Sequence, residues 1–218
     1  MGRRDLQQRL DHQEGAGLLM TARPRPPGPS AGFTLVELLV TLTLLSVLMY
    51  LAAPTMMGWI RNSQVRTAGD ALQNGLRLAQ AESLRRSRQV VFSLTDSATP
   101  QSGVTAKADG KHWSINTIAI DGEDTDVAAF VEGGVLGLPG DDVSIAGPAA
   151  ICFSSLGRLV TNTDPGVGSA CSATAIPATY DISLTGAERN LRVTVAVGGR
   201  VRMCDPNKTL STTTPDGC

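Results

Sequence analysis

Gly32-Phe33-Thr34-Leu35-Val36-Glu37 opens an apolar run that continues to Ile60, and Glu37 is the only charged side chain between Phe33 and Ile60. A carboxylate at the centre of a membrane helix costs about 2.5–3.5 kcal/mol, so one lying just inside an apolar run calls for a partner. From Phe33 to Ala53 the run is about 31 Å long at 1.5 Å per residue, the thickness of a bilayer core. A secretory signal peptide has an apolar region of only about 7–15 residues, followed by small residues at its cleavage site. Here the run is longer and the Gly32-Phe33 junction precedes it, so the helix stays with the mature chain. A plain single-span anchor accounts for the length, but for neither Glu37 nor the junction.

Residues 1–32 carry Arg3, Arg4, Arg9, Arg23 and Arg25 against Asp5, Asp11 and Glu14. Met20 offers an internal start that keeps Arg23 and Arg25 on the cytoplasmic side, in line with the positive-inside rule. A basic leader ending in glycine, then Phe-Thr-Leu-Val-Glu and about twenty apolar residues, resembles the class III signal of type IV pilins and pseudopilins. The resemblance implies cleavage between Gly32 and Phe33 by a prepilin peptidase, and N-methylation of Phe33 by the same kind of enzyme. It also implies that Glu37 pairs with the amino terminus of a neighbouring subunit as a filament grows, which supplies the missing partner. Pro54 matches the family's helix-kinking proline; it removes a backbone donor and crowds the preceding turn, and it also marks the end of the span.

Five of the 19 basic and three of the 20 acidic residues precede Phe33, leaving 14 and 17 and a net charge of −3. With no global basic field, any nucleic-acid contact must come from a local patch. Four Phe, two Tyr and two Trp leave the core to Val, Leu, Ile and Ala. Cys152, Cys171, Cys204 and Cys218 all lie beyond the apolar run, and an even count in an exported domain favours disulfides. Of three possible pairings, Cys204–Cys218 closes a short loop and leaves Cys152–Cys171 by subtraction. Metal binding is disfavoured, because no CxxC pair occurs and His112 is the one histidine after Phe33.

Past Pro54 the sequence takes up a helical period, with Val65, Ala68, Leu72, Leu76, Ala79 and Ser83 at three- and four-residue steps. One helix is expected over about 33–87, with Gly58, Gly69 and Gly75 either permitting close packing or loosening it for assembly. Strands are expected at Gln89–Leu94, Trp113–Ile115 with Ile118–Ile120, Val143–Ile145, Ala150–Phe153, Thr179–Leu184, Leu191–Val197 and Val201–Met203. The acidic, glycine-rich stretch 121–142 lacks the oxygen spacing of a calcium loop and is expected to be solvated loop. The fold class is α+β: a long amino-terminal helix packed on an antiparallel sheet. The segments are a leader (1–32), a membrane-spanning half of the helix (33–60), an amphipathic half (61–88) and a β-rich periplasmic domain (89–218).

Arg85-Arg86-Ser87-Arg88-Gln89-Val90-Val91, Phe153-Ser154-Ser155-Leu156-Gly157-Arg158 and Leu191–Cys204 resemble FimT/FimU-type minor pilins and GspH-type pseudopilins of type II secretion. Gly199-Arg200-Val201-Arg202 matches the GRxR motif of DNA-binding FimT-type minor pilins. With a three-residue turn at Val197-Gly198-Gly199, Arg200 faces Ala196 and Arg202 faces Thr194, on the exposed face with Arg192 further along. Arg158 and Lys208 would widen the patch if near. Exposed arginines two apart on a strand are also ordinary surface residues, and two or three of them give weak, salt-sensitive binding. Without interleaved aromatics, backbone contact to double-stranded DNA is the natural mode.

The resemblance implies a minor pilin of a type IV pilus, or alternatively a GspH-type pseudopilin. Its partners would be other major and minor pilins, the prepilin peptidase, the assembly platform and, through GRxR, DNA. Its place would be the inner membrane, with the globular part in the periplasm. No cofactor is implied. No HExxH, GxSxG, Walker A or GxGxxG pattern occurs, so an enzyme is not expected.

Overall fold

The computed structural model describes residues 32–218 except 100, 102, 121, 123–125, 138–142 and 172–176, with the backbone alone at 54 and 55. Residues 1–31 of the expected leader, with Met20, Arg23 and Arg25, lie outside the described residues, as do 121, 123–125 and 138–142 of the stretch weighed as a calcium loop. The chain forms two compact units, one ending at Val47 and one spanning Leu48–Cys218. Helix α1 is Leu35–Arg86.

In the second unit α1 supplies the spine of the core. Val65, Ala68, Leu72, Leu76, Ala79 and Ser83 are fully buried, one face at helical spacing. Two glycines explain how closely the sheets approach it. A Cβ on Gly69 would lie 2.9 Å from the Met203 sulfur, and one on Gly75 would lie 3.0–3.1 Å from the Phe92 and Trp113 rings. Each glycine costs the helix about 1 kcal/mol relative to alanine, offset here by contact with the sheets. At the last turn Glu82 accepts hydrogen bonds from Arg85 (2.7 and 2.9 Å) and Arg86 (2.8 Å). Those guanidinium bonds hold its carboxyl down to about 2. Ser87 then turns left-handed at φ 51° and ends the helix.

The first sheet contains β1 (Val90–Thr95), β2 (His112–Thr117), β3 (Phe130–Val135), β5 (Ala150–Phe153) and β6 (Leu159–Val160), in the order β3-β2-β1-β5-β6. The second contains β4 (Ser144–Ala146), β7 (Ala178–Ser183), β8 (Leu191–Val195) and β9 (Val201–Cys204), in the order β4-β7-β8-β9. Every strand pairing within them is antiparallel. Alternation along β1 puts Val90, Phe92 and Leu94 against the helix, while Val91 joins Ala150, Cys152, Val167 and Cys171 in a smaller cluster on the opposite face. Phe92 stacks on Trp113 at 6.0 Å between ring centroids. Disulfides join Cys152 to Cys171 and Cys204 to Cys218, and among the described residues no cysteine is free.

The α+β expectation holds, with the strands divided between two antiparallel sheets. Three details of the sequence reading need correction. The stretch expected as loop over 121–142 contains β3, because Gly134 makes room for its neighbour: a Cβ there would lie 2.8 Å from the Trp113 indole. Glycine lowers strand propensity, but here it lets a large ring lie against the adjacent backbone. The second strand ends at Thr117, short of Ile118–Ile120, and β8 ends at Val195.

Tyr180 is fully buried in the main core, and among the described residues its hydroxyl has no hydrogen-bond partner. Gly147 lies directly against its ring. Leaving such a group unpaired costs about 1–3 kcal/mol, so Tyr180→Phe is expected to raise the urea midpoint at unchanged slope. A lowered midpoint would show that the hydroxyl has a partner.

Candidate functional site: the amino-terminal segment and the arginine turns

Gly32 and Phe33 are exposed and lie outside the helix. Thr34 caps α1: its Oγ1 accepts the Glu37 N–H at 3.2 Å, and its carbonyl accepts the Leu38 N–H at 3.1 Å. Thr34-Leu35-Val36-Glu37 therefore has the spacing of a capping box, with a carboxylate in the first turn where the helix dipole favours it. That spacing is visible in the sequence, and sequence reasoning overlooked Thr34. The Glu37 side chain has no hydrogen bond or ion pair within the described chain.

Leu35–Ala53 is long and apolar enough to cross a membrane, at 19 residues and mean hydropathy 2.2, and none of it is buried within the chain. Its threonines and its serine are satisfied internally. Thr41, Thr43 and Ser46 donate to the carbonyls of Leu38, Val40 and Thr43 at 2.8–2.9 Å. Such back-bonding makes a hydroxyl tolerable in hydrocarbon. Glu37 is thus the one charge in the span without compensation. Pro54 lies within α1, one residue beyond Ala53.

Residues 29–52 match the family model described as the prokaryotic N-terminal methylation motif. The chain carries a methylation motif. That motif places the Gly32-Phe33 junction, the Thr34 cap and Glu37 inside one matched window, and above it stands a long helix on antiparallel sheets. No curated protein matches the chain significantly. Among solved structures, the type IV minor pilin FimU of Pseudomonas aeruginosa is similar at TM-score 0.45 and 15% identity, over 67% of this chain and 95% of that one. A second crystal form of FimU gives 0.42 and 15%, over 66% and 98%. EpsH, the minor pseudopilin of the Vibrio cholerae type 2 secretion system, gives 0.41 and 13%, over 66% and 99%.

The arginines proposed as a basic patch beyond the methylation motif meet different fates. The β8–β9 hairpin pairs Thr194 with Arg202 and Val195 with Val201, and Ala196 N–H bonds the Arg200 carbonyl at 2.9 Å. Val197–Gly199 makes the turn, with Gly199 left-handed at φ 88°. The side chains then diverge. Arg192 reaches across to Asp181 on β7 at 2.6 and 3.0 Å, and this bond raises its pKa. Arg202 donates to the carbonyls of Pro215 (3.0 Å) and Gly217 (2.6 Å), pinning the disulfide loop. Lys208 pairs with Asp216. Arg200 and Arg158 are exposed and have no side-chain partner among the described residues. They lie on adjoining turns: Leu159 N–H bonds the Val197 carbonyl at 3.0 Å, and Gln80 Nε2 bonds that of Gly157 at 3.0 Å. Sequence reasoning could not see that Arg202 is spent on carbonyls, or that the turn bearing Arg158 packs on the turn bearing Arg200.

Proposed function

We propose that this chain is a minor pilin-type subunit of a type IV pilus, anchored in the inner membrane with Leu48–Cys218 largely periplasmic, and acting in filament assembly rather than as an enzyme. The observation that carries the reading is Glu37: an uncompensated carboxylate in the first turn of an exposed apolar helix, inside a methylation motif. Cleavage between Gly32 and Phe33 would free an amino group four residues from the first turn's carboxylate. Methylated, that group on one subunit and Glu37 on its neighbour would neutralise each other in a medium where each alone is expensive. Pro54 would loosen the helix at the end of the span. Major and minor pilins, the prepilin peptidase and the assembly platform are the partners this role requires.

The test is co-expression with a prepilin peptidase, followed by amino-terminal peptide mapping. The expected product begins at N-methylated Phe33, and Gly32→Asp leaves the precursor uncut. A product beginning after Ala53 would identify a removed signal instead.

A pseudopilin of a type II secretion system would share the anchor and the sheets without binding DNA. The DNA-binding alternative is favoured by the two unpartnered arginines on adjoining turns, Arg158 and Arg200. Full-length protein in detergent should bind labelled duplex DNA with a logarithmic salt slope of about 2, since each neutralised phosphate adds about 0.9. Arg158→Gln/Arg200→Gln should abolish it while leaving the Arg202 clamp intact. Binding that survives this double variant would place the DNA elsewhere.

A further inference from the structure

The β5–β6 turn, Ser154-Ser155-Leu156-Gly157-Arg158, is held by its own backbone. The Gly157 N–H bonds the Ser154 carbonyl and the Ser154 N–H bonds the Arg158 carbonyl, both at 2.8 Å, while Ser154 Oγ accepts the Arg158 N–H at 3.3 Å. Leu156 sits at the apex and is 74% exposed, more than any other large apolar side chain described beyond Ile60. The space beneath the turn is already filled: a Cβ on Gly157 would lie 3.2–3.3 Å from the side chains of Leu84 and Gln80. Leu156 therefore projects from the domain on a backbone that has little freedom left to lose.

A single exposed leucine is ordinary on a protein surface. This one stands beside two unpartnered guanidinium groups. Gly157 and Gly199 are both buried and left-handed, at φ 71° and 88°, and a Cβ on Gly199 would fall 1.9 Å from the Gly157 carbonyl oxygen. The two turns thus meet backbone to backbone, with Leu156 and Arg158 on either side of one glycine and Arg200 next to the other. Neither turn contains a carboxylate, and Glu82 on the adjoining stretch of α1 is engaged by Arg85 and Arg86. Leu156 and Arg158 are two residues apart, so at most about 7 Å separates their Cα atoms. Each strand of a DNA duplex carries a phosphate for about every 3.4 Å of rise, so guanidinium groups at that spacing can hold the phosphates flanking one base step. A protein pocket for one leucine would leave both guanidinium groups to be matched separately, whereas a duplex offers apolar steps and phosphates in the same repeat.

We propose that Leu156 is a DNA wedge: Arg158 and Arg200 hold phosphates at the lips of the minor groove, and Leu156 enters between two base pairs, unstacks them and kinks the duplex toward the major groove. The inference rests on the DNA-binding reading of Arg158 and Arg200 given above, and adds what that site does to the duplex it holds. It also supplies a sequence preference without base-edge hydrogen bonds, since TA and CA steps open most readily and A-tracts are stiff.

Full-length protein in detergent is titrated at low salt against a short end-labelled duplex whose central TA step carries aminopurine, a base that brightens when it unstacks. A second duplex carries the same base within a central A-tract. Anisotropy of the end label reports binding, and aminopurine emission reports the wedge. The expected result is a several-fold rise in emission as the TA duplex binds, with tighter binding to it than to the A-tract. Leu156→Ala, at an exposed position, should remove the rise and the preference while salt-dependent binding remains; Leu156→Met should keep both. Arg158→Gln/Arg200→Gln should lose binding and the rise together. Binding without a rise in emission, or a rise that survives Leu156→Ala, overturns the wedge and leaves the arginine site standing. No binding by the unaltered chain overturns the DNA-binding reading, and the wedge with it.

Discussion

Gly199→Val is expected to lower the thermal midpoint by about 6–12 °C, equivalent to roughly 3 kcal/mol in a domain of this size, whereas Gly198→Ala leaves it nearly unchanged. Two costs coincide at Gly199. Its φ of 88° is one a β-branched residue rarely adopts, which costs about 1–2 kcal/mol. Its missing Cβ is also occupied space, filled by the Gly157 carbonyl oxygen and the Gln80 amide nitrogen. The 3.0 Å bond between those two groups would have to move, adding an overpacking cost of about 1–3 kcal/mol. Gly198 has nothing within 4 Å and an ordinary φ, so alanine fits there. Scanning fluorimetry of both variants in detergent decides the matter, and equal midpoints would mean that the two turns do not pack.

Reduction of both disulfides is expected to remove about 6 kcal/mol, since loops of 14–19 residues contribute about 3 kcal/mol each. That is comparable with the whole stability of many domains, so the reduced chain should be largely unfolded under mild denaturant. The two bridges are not equivalent. Cys152 and Cys171 are buried in the smaller core cluster, so their replacement by alanine also disturbs the cover over that face of the first sheet. The Cys204–Cys218 loop has other attachments: Arg202 holds two of its carbonyls, and the Cys218 N–H bonds the Lys208 carbonyl at 2.9 Å. Cys152→Ala/Cys171→Ala should therefore be the more damaging pair. A double-mutant cycle between Cys218→Ser and Arg202→Met should show coupling of at least about 0.5 kcal/mol, because both hold the same loop. Urea midpoints with and without reductant read both expectations; a midpoint indifferent to reductant would contradict them.

The parts legible in the sequence were those governed by local periodicity. The buried face of α1 follows from three- and four-residue steps, and the register of the β8–β9 hairpin follows from turn length and alternation. β3 was not legible, because its glycines read as loop until Trp113 is placed beside them. Nor was the division into two sheets, which depends on long-range pairing such as β1 with β5. At the candidate site, the methylation motif is contiguous and could be read directly. The arginine turns are assembled from residues some forty apart, and nothing local shows that Asp181 engages Arg192 or that carbonyls claim Arg202.

Gly69 and Gly75 have a mechanical consequence. They are six residues apart on α1, and the Met203 side chain of the second sheet meets one while the Phe92 and Trp113 rings of the first meet the other. The helix is therefore keyed to each sheet at a separate notch, as a shaft is keyed to two wheels. A twist of this part of the helix must turn both sheets together or shear one of them off its key. Torque applied along the helix would be borne by two side-chain contacts in parallel, and no single loop would have to carry it.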